Sequence, residues 1–510
     1  MNSKDVILAI DEGTSGTRAA VVDASGHVSC MQYATLQVNS PHAGIVEQDA
    51  NTILDKTLHV CRSTIAQAQH NGLRIVGLGI TTQRATAVLW DKHTGQALVP
   101  AMVWQDTRYT AELACLAKDW DDRLLQTAGR PCGVRSPYLW AVHHLRDTPA
   151  VAHAFERESL MFGTVDTWLL WNLSEQRPHV TTPTNAVSAN AYQLAEHAYY
   201  LDWLDALKFP HQLLPSLRQD ADDFGRTRAD LLGIDVPILA SAGDQHAGAI
   251  GLGCLEREQA MCVHGTGSFV DLIVGNALPA QCVEHETTLT MVARRQHDVT
   301  HLSVETFVAT TGSALNWLCD KLNWFDDAKQ ISALAAETDT SGGACFLPAL
   351  TGLRVPCLEP DARACLSGIS MATTRNQVAY AILEGIAHSV ASCLECDEAV
   401  AGLTAGELIV GGGLSCSDVL LQIQANLSGI PIRRMAEADR ASLRGIAYLA
   451  GSSGLLWDSL SEACATSKTE TVFTPAMGAD MRSLRRAQWH ARVQSELRHA
   501  QARHDHSTGD

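Results

Sequence analysis

The chain has 510 residues, of which 46% are hydrophobic and 18% are charged, and its formal net charge is −18. At ~100–200 residues per domain, this length predicts two to four domains, each large enough for its own core. The composition is typical of globular proteins and excludes disorder, collagen-like repeats and coiled coil. The acidic balance argues against nucleic acid or an anionic membrane as a partner, because both are bound through basic patches.

The termini and the cysteines favour a cytoplasmic protein. Acidic residues interrupt the first short apolar run, so no signal peptide is expected, and no apolar run reaches the ~18 residues of a membrane span. The 15 cysteines are odd in number and scattered, which is typical of reduced thiols. Cys393 and Cys396 form one C-x-x-C pair, which supplies only two of the four ligands that zinc prefers.

Two segments share one local pattern, in which an apolar run is followed by a Gly/Thr turn and a second apolar run. Residues 6–10 and 19–22 are the apolar runs of the first segment, and residues 11–18 form its turn. Residues 260–263 and 269–274 flank the second turn in the same way. Each segment predicts a hairpin whose tip presents backbone N–H groups and hydroxyls. The repeated pattern predicts two similarly built domains that face one another.

Strands and amphipathic helices alternate through the rest of the chain. Residues 75–80 and 408–410 are short apolar runs ended by turn residues, and apolar residues recur at helical spacing between 383 and 394. This alternation predicts an α/β fold. We place the domain boundary before the second hairpin, which gives domains 1–252 and 253–510, and we expect a surface helix near the C-terminus.

The first turn has the residue types of a phosphate site. Its glycines allow close approach of a ligand, and Thr14 and Ser15 add hydroxyl donors to a nest of backbone N–H groups. Arg18 can neutralise a phosphate, and Asp11 can hold a metal ion. The alternative is an ordinary hairpin turn. The segment matches neither the P-loop nor the G-x-G-x-x-G pattern, so both of those interpretations lose support.

The second turn, with Thr266 and Gly267, has the same capacity, and two such hairpins can hold the phosphates of a nucleotide between them. Just upstream, Asp244 follows an apolar strand and precedes a helix start of small residues. A carboxylate at such a strand end suits a general base that takes a proton from an alcohol. The alternative is a helix N-cap, for which Asp is a favoured residue.

A third candidate site follows the apolar run that ends at Val410. Gly412 and Gly413 belong to a glycine cluster between this strand and an amphipathic helix over residues 418–426. A flat base can lie against such bare backbone. The alternative is that these glycines only allow close packing of the helix on the strand.

In this order, the sites resemble the FGGY family of carbohydrate kinases, and within it the glycerol kinases most of all. Residues 364–384 fit the C-terminal signature of the family at every constrained position. Supporting segments are residues 44–49, 82–84, 103–106, 162–168 and 346–352. The resemblance runs from Ile7 to about Trp457, which is most of the chain.

The resemblance implies two actin-like (ribonuclease-H-like) domains with an inter-domain cleft, and an ATP-dependent kinase that uses Mg²⁺. It implies that Asp244 is the catalytic base and that Asp11 and Asp244 lie at the metal. The implied ATP-binding residues are Thr14, Ser15, Arg18, Thr266, Gly267, Gly312, Gly412 and Gly413. The implied partner is a small-molecule polyol or sugar acceptor, with no nucleic acid and no membrane, in a homo-oligomer that is a dimer or a tetramer.

The acceptor is the point at which the sequence departs from the family. The residues that match acceptor contacts are Arg84, Trp104, Asp244, Gln245 and Phe269. Ala85 stands where glycerol kinases have a glutamate that holds hydroxyls, and the segment that carries a contacting tyrosine is shorter. Loss of a hydrogen-bonding carboxylate is expected to weaken glycerol binding or to redirect acceptor choice.

Glycerol, converted to glycerol 3-phosphate, is the first expectation for the acceptor, and a ketopentose such as xylulose or ribulose is the second. Asp106 and Arg108 are either contacts to a larger sugar or an exposed loop pair. A different class of function, a non-catalytic sensor that binds ATP, is the remaining alternative, since actin-like folds also serve as conformational switches. The presence of Asp244, the candidate catalytic base, argues against a non-catalytic protein.

Overall fold

The computed structural model of the chain describes residues 4–279 and 287–507. Up to residue 253, the strands are β1 (Asp5–Glu12), β2 (Gly16–Asp23), β3 (Val28–Thr35), β4 (Glu47–Gln48), β5 (Arg74–Thr82), β6 (Ala87–Asp91), β7 (Ala101–Met102), β8 (Leu160–Thr164), β9 (Val180–Thr181), β10 (Tyr192–Gln193), β11 (Ala198–Tyr199), β12 (Ser216–Leu217) and β13 (Ile238–Gly243). The helices are α1 (Ala50–His70), α2 (Thr110–Ala128), α3 (Pro137–Asp147), α4 (Pro149–Glu156), α5 (Val165–Leu173), α6 (Pro183–Ala186), α7 (Leu201–Ala206), α8 (Ala229–Leu232) and α9 (Asp244–Leu252).

The second half of the chain continues with similar elements. Its strands are β14 (Gln259–His264), β15 (Ser268–Gly275), β16 (Leu289–Gln296), β17 (Val299–Val308), β18 (Cys345–Leu347), β19 (Cys365–Ser367), β20 (Glu407–Gly412), β21 (Ile432–Met435) and β22 (Thr469–Phe473). Its helices are α10 (Gly312–Asp320), α11 (Ala328–Ala336), α12 (Arg375–Ala401), α13 (Asp418–Ser428), α14 (Ala441–Gly451), α15 (Leu460–Cys464) and α16 (Ala479–Ser507).

The first central sheet has five strands in the order β13-β5-β1-β2-β3. β1 and β2 form the predicted antiparallel hairpin, and β1, β5 and β13 run parallel. Alternate residues of β1 face opposite sides, as the period of a strand requires. Leu8 and Ile10 pack with α1, whereas Ile7 and Ala9 pack with α14. A sheet covered on both faces explains why β1 is a continuous apolar run.

The second central sheet has seven strands in the order β16-β17-β15-β14-β20-β21-β22. β14 and β15 form the second predicted hairpin, and β14 runs parallel to β20. On one face, Cys262 and Val410 pack with Val390 and Leu394 of α12. The helix predicted between residues 383 and 394 is confirmed, and it extends farther in both directions. Thr374 and Gln377 close a capping box that fixes its start.

A pair of helices, α9 and α14, lies between the two sheets. Ala247 and Ile250 of α9 pack with the first sheet, whereas Ala249 and Leu252 pack with Met261 of the second. α14 comes from late in the chain, yet it contributes to the core of the first sheet. The axes of α9 and α14 approach closely because Gly251 and Gly445 stand where the two helices cross. The residue that begins α9 is therefore positioned by both halves of the molecule.

The last helix, α16, covers part of the second half of the molecule. Trp489, Val493 and Leu497 are buried against Leu347 and its neighbours, so one face of the helix belongs to a core. Within residues 4–279 and 287–507, all 14 cysteines are free. None of the helices in these ranges combines the length and the apolar character that a membrane span needs.

Candidate active site

A cavity of about 240 Å³ lies where residues of the two central sheets meet. Parallel strands bring their carboxyl ends to one edge of a sheet, and functional side chains collect there. Arg84 follows β5 by two residues, and Asp244 follows β13 directly. Six of the residues predicted from the sequence line this cavity: Thr14, Arg84, Trp104, Asp244, Gln245 and Phe269.

Asp244 is the first residue of α9, and its side chain is 30% exposed. The N-cap is Gly243, so the interpretation of Asp244 as a cap is wrong. Its Oδ1 accepts a hydrogen bond from the backbone N–H of Gln245 at 2.8 Å. Burial raises the pKa of Asp244, although the charge of Arg84 acts in the opposite direction. The carboxylate therefore faces the cavity with one oxygen engaged at the helix start.

Arg84 is held between carboxylates from both halves of the molecule. Its Nε lies 3.6 Å from Oδ1 of Asp244, and its Nη2 lies 2.9 Å from Oε2 of Glu305 on β17. Burial by itself lowers the pKa of Arg84, but the charges of Glu305 and Asp244 raise it overall. This ion pair fixes the guanidinium beside the candidate base.

Trp104 is oriented by a chain of hydrogen bonds to the first hairpin. Its Nε1 donates to Oγ1 of Thr14 at 2.8 Å, and Thr14 donates to Oε1 of Gln83 at 3.2 Å. The backbone carbonyl of Thr14 accepts from Gln48 at 2.7 Å. The Thr14 hydroxyl thus has two protein partners, and it positions the indole ring at the cavity wall.

Phe269 forms a second aromatic wall. It stacks on Phe307, with ring centroids 5.0 Å apart. The guanidinium of Arg354 lies over the other ring of this stack, 4.1 Å from the Phe307 centroid. Next to Asp244, the buried Oε1 of Gln245 has no hydrogen-bond partner among the described residues. An acceptor hydroxyl is a chemically suitable donor for that oxygen.

Asp11 lies at the end of β1, within electrostatic reach of Asp244. Burial raises the pKa of Asp11 to about 6, the charge of Arg18 lowers it, and the charge of Asp244 raises it. The neighbouring Glu12 is fully buried and points to Thr57, whose hydroxyl donates to Oε2 at 2.9 Å. Because the charge of Asp244 raises the proton affinity of Asp11, this end of β1 is an environment that favours a bound cation.

Ser15 and Arg18 occupy the hairpin outside the cavity. Ser15 is exposed, and its carbonyl accepts hydrogen bonds from Leu36 and Tyr33. Nη1 of Arg18 donates to the carbonyl of Asp439 at 3.2 Å, which links the first hairpin to the segment before α14. The structure therefore separates Ser15 and Arg18 from the acceptor residues.

The predicted glycines of the second half converge on the second hairpin. A Cβ at position 312 would lie 2.3 Å from the carbonyl oxygen of Gly265, and one at position 412 would lie 2.2 Å from that of His264. These distances are too short for any side chain, so close packing of backbone requires both glycines. The carbonyl of Thr266 accepts from the N–H groups of Thr311 and Ser313, at 3.1 and 3.0 Å.

Two other members of this predicted set differ in their surroundings. Gly413 has no atom within 4 Å of a Cβ position, so backbone is accessible there. Gly267 lies at the hairpin tip, where a Cβ would come 2.5 Å from the carbonyl of Val308. Gly267, Gly312 and Gly412 are thus brought together by backbone packing, and Gly413 forms the open side of the same region.

Asp106 and Arg108 do not line the cavity, and they are not an exposed pair. Asp106 is 1% exposed and accepts from the backbone N–H of Val46 at 2.7 Å. Nη2 of Arg108 lies 2.7 Å from Oδ2 of Asp106 and 2.8 Å from Oε1 of Glu47. The alternative of an exposed loop pair is therefore wrong, because the pair anchors one segment of the chain to another, whereas contact with a larger sugar stays a prediction.

Sequence reasoning missed four charged residues of the cavity: Arg130, Arg135, Glu305 and Arg354. Arg130 and Arg135 belong to the segment after α2 that is shorter than in the family. Tyr138, in the same region, packs against Phe162 and Phe209 and does not reach the cavity. Arg130 and Arg135 lie within six residues of each other, which was a signal in the sequence. No local pattern indicated that Arg354 lines the same cavity.

The cavity, the two hairpins and the paired sheets agree with the comparison to known protein families. The model of the FGGY family of carbohydrate kinases, N-terminal domain, matches residues 6–251, and that of the C-terminal domain matches residues 260–454. The chain belongs to the FGGY family of carbohydrate kinases. The prediction from the signature over residues 364–384 is thereby confirmed.

Full-length relatives support the same assignment. The chain is 36% identical to a protein named glycerol kinase from Dechloromonas aromatica, over 98% of this chain and 99% of the relative. It is 35% identical to a protein named glycerol kinase from Bordetella parapertussis, over 97% of each. The chain is therefore similar to these proteins over nearly their whole length.

Solved structures confirm the expected actin-like, two-domain α/β fold. Plasmodium falciparum glycerol kinase with ADP superposes with a TM-score of 0.90 at 23% identity, covering 97% of this chain and 98% of the other. Xylulose kinase from Lactobacillus acidophilus gives a TM-score of 0.82 at 19% identity, covering 98% of both chains. At these identities the likeness establishes the fold alone.

Proposed function

We propose that this FGGY kinase transfers the γ-phosphoryl group of ATP to a hydroxyl of a small polyhydroxylated acceptor. Glycerol is the acceptor that the names of the relatives favour, and a ketopentose is the alternative. The observation that supports transfer to an alcohol is the position of Asp244, which faces the cavity beside Arg84, between two aromatic walls.

In this proposal, Asp244 accepts the proton of the attacking hydroxyl. The raised pKa of Asp244 favours that role, because a general base is most effective when its pKa lies near the working pH. Arg84, held by Glu305, positions an acceptor oxygen, and Trp104 and Phe269 cover the carbon skeleton. Gln245 accepts a hydrogen bond from a second hydroxyl. These contacts hold the acceptor for an in-line displacement, in which positioning accounts for most of the catalysis.

The ATP phosphates lie between the two hairpins in this proposal, with Thr14, Ser15 and Arg18 on one side and Thr266 and Gly267 on the other. Gly312, Gly412 and Gly413 form the adenosine side. These assignments are supported by the convergence of the three C-terminal glycines on the second hairpin. Thr14 contributes mainly backbone, since its hydroxyl already binds Trp104 and Gln83.

Asp11 and Asp244 would hold Mg²⁺. The influence of the Asp244 charge on Asp11 and the raised pKa of Asp11 fit a divalent cation. No cluster of three or more His, Cys, Asp or Glu that could hold a metal occurs in the described part of the chain, which also fits, because Mg²⁺ takes one or two carboxylates together with substrate phosphates. When bound, the ion offsets the charge that develops on the phosphoryl oxygens.

The test is ADP formation by the purified protein with Mg-ATP and glycerol, erythritol, xylulose, ribulose or gluconate, each against a blank without acceptor. Asp244→Asn is expected to lower turnover by about 10²- to 10⁴-fold, the usual contribution of a general base. ATP binding, measured by calorimetry, should persist in this variant. Asp418→Asn is the matched control, because Asp418 also begins a helix after a parallel strand but does not line the cavity.

Three results would contradict the proposal. Near-normal turnover by Asp244→Asn would exclude this residue as the base. ADP release that is the same with and without an acceptor would instead favour an ATP-dependent switch. If ADP forms with none of the acceptors although ATP binds normally, a non-catalytic sensor is favoured. The proposal also includes a cytoplasmic location and a dimeric or tetrameric assembly, the latter testable by light scattering.

A further inference from the structure

Among the described residues, three arginines of the cavity have no ion-pair partner. Arg130, Arg135 and Arg354 all line it, and none of the three takes part in an ion pair within residues 4–279 and 287–507. We call these three residues the arginine cluster. Arg84, the fourth arginine of the cavity, differs from them because Glu305 and Asp244 compensate its charge.

The few contacts of the cluster leave its hydrogen-bonding capacity largely unused. Nη1 of Arg130 donates to the carbonyl of Val187 at 3.0 Å. The buried Nε of Arg135 and of Arg354 have no partner among the described residues. Arg354 lies over Phe307, and the guanidinium of Arg135 lies 5.9 Å from the ring centroid of Trp104. Both aromatic walls of the cavity therefore carry an arginine.

The charge of the cavity is opposite to that of the whole chain. Four arginines line it against two carboxylates, Asp244 and Glu305, although the chain has a formal net charge of −18. Asp271 does not line the cavity, and burial, followed by the charge of Glu305, raises its pKa well above the usual range. The surplus of positive charge is therefore a local property of the acceptor side.

The arginines also act on one another. Burial, followed by the charge of Arg135, lowers the pKa of Arg130 to about 9. Burial, followed by the charges of Arg84 and Arg354, lowers the pKa of Arg135 to about 10. The charge of Glu305 acts on both groups in the opposite direction, but that carboxylate is already paired with Arg84. Buried cations are unfavourable unless an anion pairs with them.

We propose that the arginine cluster binds a carboxylate of the acceptor, so that the preferred acceptor is a small polyhydroxylated acid rather than a neutral polyol. This inference rests on the proposed function and narrows its acceptor. Arginine suits such a group because its planar N–H donors match the two oxygens of a carboxylate.

The reaction balances without a further reactant. The hydroxyl oxygen of the acid forms a bond to the γ-phosphorus, and the bond from that phosphorus to the bridging oxygen of ADP breaks. The hydroxyl proton goes to Asp244. The carboxylate of the acceptor remains unchanged, held by the arginine cluster, and the product is a phosphorylated hydroxy acid.

The first test compares matched pairs that differ only in one oxidised carbon: glycerol with glycerate, and erythritol with erythronate. Calorimetry on the full chain is expected to show at least about tenfold tighter binding of the acid in at least one pair, as expected for hydrogen bonds to a charged group. Equal or tighter binding of the neutral compound in both pairs would overturn the inference.

A second arm separates the acceptor from the phosphates of ATP. The same titrations are repeated with a saturating non-hydrolysable ATP analogue and Mg²⁺. If the cluster belongs to the acceptor, the advantage of the acid persists. If the arginines hold the nucleotide phosphates, the advantage disappears, and that result would overturn the inference. Free phosphate as a competitor in the absence of nucleotide shows how much of the binding any oxyanion can replace.

Variants connect the preference to the cluster. Arg354→Met and Arg130→Met are each expected to reduce the ratio of acid to polyol affinity by about tenfold. Arg123→Met is the matched control, because Arg123 also stacks on an aromatic ring, that of Trp120 at 5.3 Å, but does not line the cavity. An unchanged ratio in both cluster variants, with folding verified by thermal melting, would overturn the inference.

Turnover distinguishes the failure of this inference from the failure of the proposed function. If the neutral polyols are phosphorylated and bind better than the acids, the kinase proposal stands and the arginine inference falls. If the acids bind tightly in the presence of the analogue but no acceptor is phosphorylated, the arginine inference stands and the kinase proposal falls.

Discussion

Gly445 of α14 determines how closely this helix approaches α9, and Gly445→Ala is expected to affect stability and catalysis together. A Cβ at position 445 would lie 1.8 Å from the carbonyl oxygen of Ala247, whereas Cβ atoms essentially never come within 3.0 Å of another heavy atom. The helices must therefore separate by about 1.2 Å at this point. A Cβ at position 251 on α9 would lie 1.9 Å from the carbonyl oxygen of Ala441, so the approach is equally close from the other helix.

The cost follows from overpacking of a buried contact, which is about 2–3 kcal/mol. At about 2–4 °C per kcal/mol for a domain of this size, the Tm is expected to fall by roughly 5–10 °C. Because Asp244 begins α9, the same shift moves the candidate base. We therefore expect kcat to fall, by about tenfold or more for a displacement near 1 Å, while ATP affinity changes less.

Thermal melting and steady-state kinetics of the purified variant check both effects. Gly478→Ala is the control, because Gly478 has no atom within 4 Å of a Cβ position and lies outside the helix pair. A Tm within 1 °C of this control would show that the interface yields more easily than its geometry indicates. A large loss of stability with unchanged kcat would show that α9 does not transmit the shift to Asp244.

Three further predictions concern the cavity and the second hairpin. Trp104→Phe removes the hydrogen bond to Thr14 and should raise KM for the acceptor about fivefold, since a neutral hydrogen bond contributes about 1 kcal/mol. An unchanged KM would mean that packing alone holds the indole ring. Gly312→Ala should weaken ATP binding at least about tenfold, because its Cβ would displace the hairpin at Gly265, and calorimetry checks this. His264 is fully buried and its Nε2 accepts from an amide N–H, and burial lowers its pKa to about 4. The contribution of neutral His264 to stability is therefore present at neutral pH and is lost as pH falls from about 6.5 towards 4. In the His264→Gln variant, the change in unfolding free energy between pH 7.5 and pH 5 should be smaller by about 2 kcal/mol. Parallel curves of unfolding free energy against pH for the two proteins would contradict this.

Local patterns were sufficient to predict the two hairpins and the long helix near residue 390. In β1 and β14, uninterrupted apolar runs can be buried only in strands covered on both faces, and a Gly/Thr turn between such runs leaves few alternatives to a hairpin. The position of Asp244 after an apolar strand was visible for the same reason. The capping box that starts α12 at Thr374 is also a local signal, which sequence reasoning could have used.

The sequence by itself thus determined the elements, the order of the candidate sites and the family, because each depends on residues that are close together in the chain. Only the tertiary structure decided the charge of the cavity. Arg130 and Arg354 are more than 200 residues apart, and they meet because two sheets and the α9–α14 helix pair bring their loops to one place. Electrostatic energy depends on distance in space, so an acidic chain can present a cationic acceptor site that no composition or local motif reveals.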